Sequence, residues 1–166
     1  AVLHVGYLPA TVDEVFFAHT EVVGDIGPSL RSLADRLEGR LPNAGALLGL
    51  RDGILTRIAD RAKESRYPLT PQRIVHDVRQ VMPEDGIVCL DNGMYKIWFA
   101  RNYRTRVANT LLLDNALATM GAGLPSAIVA AMLCPERRVL AICGDGGFMM
   151  NSQELETAIR LGHRLV

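Results

Sequence analysis

Short apolar runs alternate along the chain with segments in which apolar residues recur every three or four positions. The runs predict buried β-strands, and the periodic segments predict amphipathic helices. Strands are predicted at residues 1–5, 21–26, 87–90, 109–114 and 139–143. Helices are predicted at residues 28–37, 46–65, 71–82, 94–103 and 117–134, with a further helix after residue 147. This alternation predicts an α/β fold with a parallel sheet and flanking helices, in which ligands bind beyond the carboxyl ends of the strands.

Polar residues lie where three of the helices are predicted to begin. Thr70 precedes a proline, an arrangement typical of a helix N-terminus. Asn151 and Glu154 have the spacing of a capping box, with Asn in the place of Ser or Thr. Asp25 follows a glycine at the end of a predicted strand, and we interpret it as a helix-terminal acid rather than a metal ligand.

The strand at residues 139–143 stops at four residues, Gly144-Asp145-Gly146-Gly147, and a helical pattern follows. A strand, a glycine turn and a helix together are typical of a phosphate site. Glycine lets the backbone approach an anion, and the helix start points unpaired N–H groups at it. Asp145 would repel a phosphate unless a divalent cation lay between them, so the pattern also predicts a metal ligand at Asp145.

Two motifs carry a resemblance to a known family. The glycine turn, with the helix rich in ELET that follows it, is similar to the first half of the thiamine-diphosphate (ThDP) motif. Residues 117–127, LATMGAGLPSA, are similar to the segment that holds the cofactor's aminopyrimidine. In this order and spacing the two motifs resemble the acetolactate synthase branch of the ThDP-dependent enzymes. The resemblance covers nearly the whole chain, while the chain covers part of the family's architecture.

The resemblance implies roles for the residues of the glycine turn. Asp145 matches the first ligand of a metal, usually Mg²⁺, that bridges the diphosphate to the protein. The second ligand of the family is an Asn roughly 25–30 residues further on, beyond Val166, so we expect an incomplete metal site in this chain. Gly146 and Gly147 would give backbone N–H groups to phosphate oxygens, and Gly144 is counted with them as a cofactor-binding residue.

The resemblance also implies contacts with the rest of the cofactor. Met120 matches a bulky apolar residue that lies under the cofactor and holds it in a bent form. The bend brings the exocyclic amine of the pyrimidine, which is the base, near the acidic carbon of the thiazolium. The Met120 N–H and the Ala118 carbonyl would bond the pyrimidine edge. Residues 91–95 align with a segment where biosynthetic members carry Gly-Gln-His. Gly93 is kept, but Met94 and Tyr95 replace Gln and His, and this departure favours a side branch. Backbone contact with the diphosphate is still expected from Asn92, Gly93 and Met94. We interpret the aromatic residues that follow as core or subunit-interface residues: Tyr95, Trp98 and Phe99.

Residues 121–126, GAGLPS, also approach a dinucleotide-binding fingerprint, G-x-G-x-x-[GA]. Pro125 interrupts the match, the sixth residue is Ser and no clear strand directly precedes it. A nicotinamide site is therefore disfavoured.

The resemblance divides the chain into three parts. Residues 1–41 resemble the C-terminal end of a Rossmann-like middle domain, which binds FAD in some members and nothing in others. Residues 42–68 form a linker with a helix, and residues 69–166 resemble the N-terminal portion of the C-terminal, diphosphate-binding domain. Both chain ends fall on strand-like segments, so we expect an inactive fragment of a longer protein.

The composition argues against several classes of binding partner. Acidic and basic residues are equal in number, 18 each, which argues against a nucleic-acid or anionic-membrane surface. The longest apolar run, residues 127–134, is too short to span a bilayer. Three cysteines lack metal-type spacing and are interpreted as reduced apolar residues of a cytoplasmic protein: Cys89, Cys134 and Cys143.

The resemblance implies that the parent protein decarboxylates pyruvate and ligates the two-carbon unit to a second 2-oxo acid. The family's activating glutamate lies in an N-terminal domain of the neighbouring subunit, so we expect no complete catalytic set here and a homodimer or homotetramer with a shared site. One alternative is another ThDP-dependent decarboxylase, carboligase or oxidase of 2-oxo acids. The other is a non-catalytic nucleotide-binding module that reuses the α/β sheet.

Overall fold

A computed structural model describes residues 1–11, 17–39 and 45–166 of the chain. They form two compact units, Ala1–Arg51 and Asp52–Val166. The predicted boundary between residues 41 and 42 lies outside the described residues. The division at residues 68 and 69 remains a prediction.

The first unit contains two parallel strands, β1 (Leu3–Gly6) and β2 (Thr20–Val23). Helix α1 (Ile26–Leu37) follows, and it begins two residues before the predicted start. The start lies there because the Asp25 carboxylate accepts a hydrogen bond of 2.9 Å from the backbone N–H of Gly27. Asp25 is therefore a helix N-cap, as its position in the sequence predicted.

Helix α2 (Gly45–Ala59) is shorter than the prediction for residues 46–65. Beyond its end, Arg61 adopts a left-handed conformation with φ of 58°. A right-handed helix cannot continue through such a residue. The apolar periodicity of residues 46–62 did not reveal this turn.

The second unit alternates helices and strands around a three-stranded sheet. Its elements are α3 (Pro71–Val81), β3 (Ile87–Leu90), α4 (Met94–Asn102), β4 (Leu111–Leu113), α5 (Gly123–Leu133), β5 (Val139–Ile142), α6 (Asp145–Met150) and α7 (Glu154–Arg160). The strand order is β4-β3-β5, and both pairings are parallel. The predicted parallel α/β fold is confirmed. Near the C-terminus, Leu165 forms one parallel bridge with Val139.

Strand β3 is the centre of the core, because all four of its residues are buried. On one face Val88 belongs to a cluster with Phe99 of α4. On the other face Cys89 packs with Ala127 of α5, and the small alanines let this helix lie close to the sheet. A strand covered on both faces is uniformly apolar, which explains the short continuous run in the sequence.

One predicted helix start is confirmed and another is wrong: α3 begins at Pro71, directly after its N-cap Thr70, whereas α5 does not begin at residue 117. Thr70 precedes α3, but its side chain makes no capping hydrogen bond, and its buried hydroxyl has no partner among the described residues. Helix α5 begins at Gly123 rather than at residue 117, because Gly121 takes a positive φ of 89° and the chain turns there. Within the described residues, no helix combines the length and apolarity needed to cross a membrane.

Candidate functional site

Three segments meet at the carboxyl edge of the sheet in the second unit. Residues 91–95 follow β3, residues 144–147 follow β5, and residues 117–122 lead into α5. The two strands are neighbours, with Leu90 opposite Ile142, so the residues after them lie side by side. These segments contain all nine residues that the sequence singled out for cofactor binding: Asn92, Gly93, Met94, Ala118, Met120, Gly144, Asp145, Gly146 and Gly147.

Asp91 lies at the centre of this edge and is completely buried. Its carboxylate accepts hydrogen bonds from the backbone N–H of Asn92, at 2.7 Å, and of Gly121, at 2.9 and 3.0 Å to its two oxygens. A buried carboxylate is tolerated when such donors stabilise its charge. The sequence marked the segment but gave Asp91 no role, although an acid directly after a fully buried strand was the available signal.

Two glycines pack against Asp91 so closely that no side chain would fit. A Cβ atom on Gly147 would lie 2.1 Å from Asp91 Oδ2, and one on Gly123 would lie 2.7 Å from Asp91 Cβ. Gly147 belongs to the glycine turn, and Gly123 starts α5. Asp91 therefore joins the two motifs that are far apart in sequence.

Gly121 is held from a second direction by Asn151. The Asn151 side-chain amide donates to the Gly121 carbonyl at 2.8 Å. The predicted capping box of Asn151 and Glu154 is wrong, because Gln153 precedes α7 and makes no side-chain capping bond. The amide of Asn151 instead bonds a segment 30 residues away, which a local motif cannot reveal.

The glycine turn opens α6 and lies beside Met120. Asp145, in the first helical turn, is exposed, and the first N–H groups of a helix have no carbonyl partner within it. A Cβ on Gly146 would lie 3.4 Å from Met120 Cε, and one on Gly144 would lie 3.3 Å from Tyr95 Cε1. The turn is thus a cradle of backbone bounded by two larger side chains. These features fit a diphosphate group.

The metal ligands are incomplete among the described residues, where no group of three His, Cys, Asp or Glu residues could hold a metal ion. Asp145 is the single carboxylate of the turn. A cation bound there would take its other ligands from phosphate oxygens, water or residues outside those described.

Tyr95 ties the turn to the segment after β3. Its phenol oxygen accepts a hydrogen bond of 3.0 Å from the Gly144 N–H. Burial raises the pKa of Tyr95, with Asp91 and Cys143 adding to the rise and the Gly144 bond opposing it, so the phenol stays protonated at neutral pH. Phe99 is a core residue as predicted, whereas Tyr95 is half-buried at the edge of the site.

Asn92 connects its segment to residues 114–119. Its side-chain amide donates to the Thr119 carbonyl at 2.7 Å, and its oxygen accepts from Lys96 Nζ at 2.7 Å. Lys96 also donates to the Asp114 carbonyl. The side chains of Met94 and Met120 are exposed, so Met120 offers an apolar surface beside the turn.

A cavity of about 430 Å³ lies beside the turn and is lined in part by Gly144, Asp145 and Phe148. A larger cavity of about 800 Å³ lies between the end of α2 and α3, and none of the nine predicted residues lines it. We assign the smaller cavity to the site because the residues with suitable chemistry line it.

The comparison with family models places residues 91–166 in the family described as thiamine pyrophosphate enzyme, C-terminal TPP binding domain. The matched region begins at Asp91 and contains all three segments of the site.

Curated relatives extend the similarity over most of the chain. The chain is 37% identical to the catabolic acetolactate synthase of Raoultella terrigena over 96% of its length. It is 28% identical to the acetolactate synthase of Bacillus subtilis, strain 168, also over 96%. Both alignments cover 29% of the relative's length, so the chain spans less than a third of these proteins. A shorter match, 38% over 55% of the chain and 16% of the relative, is to the acetolactate synthase isozyme 1 large subunit of Escherichia coli K12.

Proposed function

Because the chain belongs to the acetolactate synthase-like family of thiamine-diphosphate-dependent enzymes, we propose that it supplies the diphosphate-binding part of an acetolactate-forming enzyme. The intact protein would decarboxylate pyruvate and join the two-carbon unit to a second 2-oxo acid. When bound, ThDP supplies the electron sink that such a decarboxylation requires.

One observation carries this proposal. The buried Asp91 carboxylate bonds Gly121, next to Met120, and packs against Gly147 of the glycine turn. The two motifs therefore lie together at the carboxyl edge of a parallel sheet, where this class of fold binds its ligands. The contacts of Asp91 with both motifs support the proposal that a single ligand binds across the two.

The proposed roles follow from the chemistry of each group. Asp145 would hold Mg²⁺, which offsets the repulsion between the carboxylate and the diphosphate. The N–H groups of Gly146 and Gly147 would donate to phosphate oxygens. Met120 would support the cofactor's rings, with the Ala118 carbonyl accepting from the pyrimidine amine.

Partners and location are also proposals. We propose a homodimer or homotetramer in the cytoplasm, with an active site shared between subunits. Helix α5 supports an oligomer, because it exposes the apolar side chains of Val129, Met132 and Leu133. FAD, if bound, would belong to the middle domain, of which residues 1–41 are the proposed end.

The test is an assay of the intact protein with pyruvate, ThDP and Mg²⁺, scoring carbon dioxide and acetolactate. Asp145→Asn is expected to abolish both products and metal-dependent ThDP binding. Asp85→Asn, at an exposed turn aspartate distant in sequence, is the matched control and should leave activity unchanged.

The products separate the alternatives. Acetaldehyde in place of acetolactate would assign the protein to the ThDP-dependent decarboxylases, and hydrogen peroxide to the oxidases. No turnover together with no metal-dependent ThDP binding would refute the proposal and leave a non-catalytic module.

A further inference from the structure

Gly121 is fixed on both sides of its backbone. Its N–H donates to the Asp91 carboxylate, at 2.9 and 3.0 Å, and its carbonyl accepts from Asn151 Nδ2 at 2.8 Å. The partners belong to different segments, since Asp91 follows β3 and Asn151 is the C-cap of α6. These three residues, Asp91, Gly121 and Asn151, are called the Gly121 clamp.

The Gly121 clamp restricts the backbone conformation at Gly121. Gly121 has a φ of 89°, and a Cβ there would lie 2.7 Å from Asn151 Nδ2 and 3.0 Å from Met150 Cβ. Asp91 cannot shift easily, because its carboxylate is buried and also bonds the Asn92 N–H. Met120, the neighbour of Gly121, is therefore held in a defined place relative to α6.

Helix α6 begins in the glycine turn, and Asn151 caps its C-terminal end. It is one short helix with the proposed diphosphate contacts at its start and the clamp at its end. A change in the position of α6 would move Asn151 and, through the Gly121 carbonyl, the Met120 backbone.

We propose that Asp91 and Asn151 are positioning residues that couple the diphosphate end of the site to its ring end. This inference rests on the proposed function, in that it takes ThDP as the ligand. Loss of the Asn151 bond would leave the glycine turn able to bind diphosphate, but Met120 would no longer be held for the rings. A lost neutral hydrogen bond corresponds to about a three- to tenfold loss of ThDP affinity.

The experiment is calorimetric titration of the intact protein, in Mg²⁺, with ThDP and separately with inorganic pyrophosphate. Asn151→Ala is expected to weaken ThDP binding about three- to tenfold and to leave pyrophosphate binding within about twofold. Asn102→Ala is the matched control, because Asn102 Nδ2 also donates to a backbone carbonyl, that of Ile58 at 3.1 Å, away from the clamp. It should change neither affinity.

The conservative variant Asp91→Asn tests the other side of the clamp. Its Oδ1 can still accept from Asn92 and Gly121, so it should retain more ThDP affinity than Asp91→Ala. Asn151→Ala remains decisive if Asp91→Ala does not fold.

Three results would overturn the coupling while leaving the proposed function intact. They are an equal loss of ThDP and pyrophosphate affinity in Asn151→Ala, no loss of either, and no pyrophosphate binding by the unaltered protein when it binds ThDP. Failure of the unaltered protein to bind ThDP at all would instead refute the proposed function and the coupling together.

Discussion

Replacing Gly147 by Ala tests the packing at the centre of the site. The added Cβ would lie 2.1 Å from Asp91 Oδ2 and 3.0 Å from Asp91 Cγ, where ordinary contact begins at 3.4 Å. The carboxylate would have to move by about 1 Å, and it is held by the N–H groups of Asn92 and Gly121. Gly147→Ala should therefore strain the joint between the two motifs.

The magnitude follows from two costs and one gain. Overpacking a tight interior costs about 1–3 kcal/mol, and weakening a hydrogen bond to a charged group costs about 1.5–3 kcal/mol. Alanine gains up to about 1 kcal/mol over glycine within a helix. Gly147→Ala is expected to lower the free energy of unfolding by about 2–5 kcal/mol.

The assay is urea unfolding followed by circular dichroism, with two control glycines. Gly53→Ala, in α2 with no atom within 4 Å of its Cβ, should raise stability by about 0.5–1 kcal/mol. Gly146→Ala meets only the flexible end of Met120, at 3.4 Å, and should stay within about 1 kcal/mol of the unaltered protein. A Gly147→Ala variant as stable as the Gly146→Ala variant would refute the close packing of Gly147 on Asp91.

The remaining predictions concern buried polar groups away from the turn. Thr70→Val should be neutral or stabilising by up to about 1 kcal/mol in urea unfolding, because the Thr70 hydroxyl is buried and has no partner among the described residues. Thr110→Val should lower the free energy of unfolding by about 1 kcal/mol in the same measurement, because the Thr110 hydroxyl donates to the Val107 carbonyl at 2.7 Å. Equal effects of the two substitutions would contradict the difference in hydrogen bonding between the two hydroxyls. Burial raises the pKa of the Tyr103 phenol, and the nearby Arg79 partly opposes this rise, so the pKa is higher in the folded state than in the unfolded state. The stability that this difference contributes is present below about pH 10 and is lost at higher pH. Tyr103→Phe should therefore flatten the fall of the urea midpoint above about pH 10, and an unchanged slope would count against this. Burial, with a smaller contribution from the thiol of Cys143, raises the pKa of Cys89 to about 12. Iodoacetamide at about pH 8 should therefore leave Cys89 unlabelled in the native protein and label it after unfolding, as measured by mass spectrometry.

The sequence predicted the fold class because its signals were local and consistent. The run from Ile87 to Leu90 is apolar on both faces, and the structure covers both faces with helices. The next strand was predicted too long, since Leu111–Leu113 alone pairs with β3. Strand limits depend on partners that lie elsewhere in the chain.

The candidate site was predicted where glycines mark a backbone constraint, and missed where a side chain acts at long range. Gly144 precedes α6, and the other three residues of the motif, Asp145 to Gly147, already lie in its first turn, so the helix begins earlier than the sequence predicted. Asp91 and Asn151 were assigned no such contacts, because their partners lie 30 residues away in each case. An Asn near a helix start fits a cap equally well in sequence, and the competing carbonyl of Gly121 appears only once the sheet has assembled.

The β4-β3-β5 order also determines how the second unit can fold. The central strand, β3, pairs with β4, which begins at residue 111, and with β5, which begins at residue 139. Neither pairing therefore closes a short loop. Parallel pairing over such separations costs loop-closure entropy before any contact is gained, which makes folding slow. During synthesis, β3 leaves the ribosome as a bare apolar strand and has no second neighbour until β5 has been made. In that interval at least one edge of β3 can pair with another chain, and this sheet is where we expect misassembly of the nascent protein to begin.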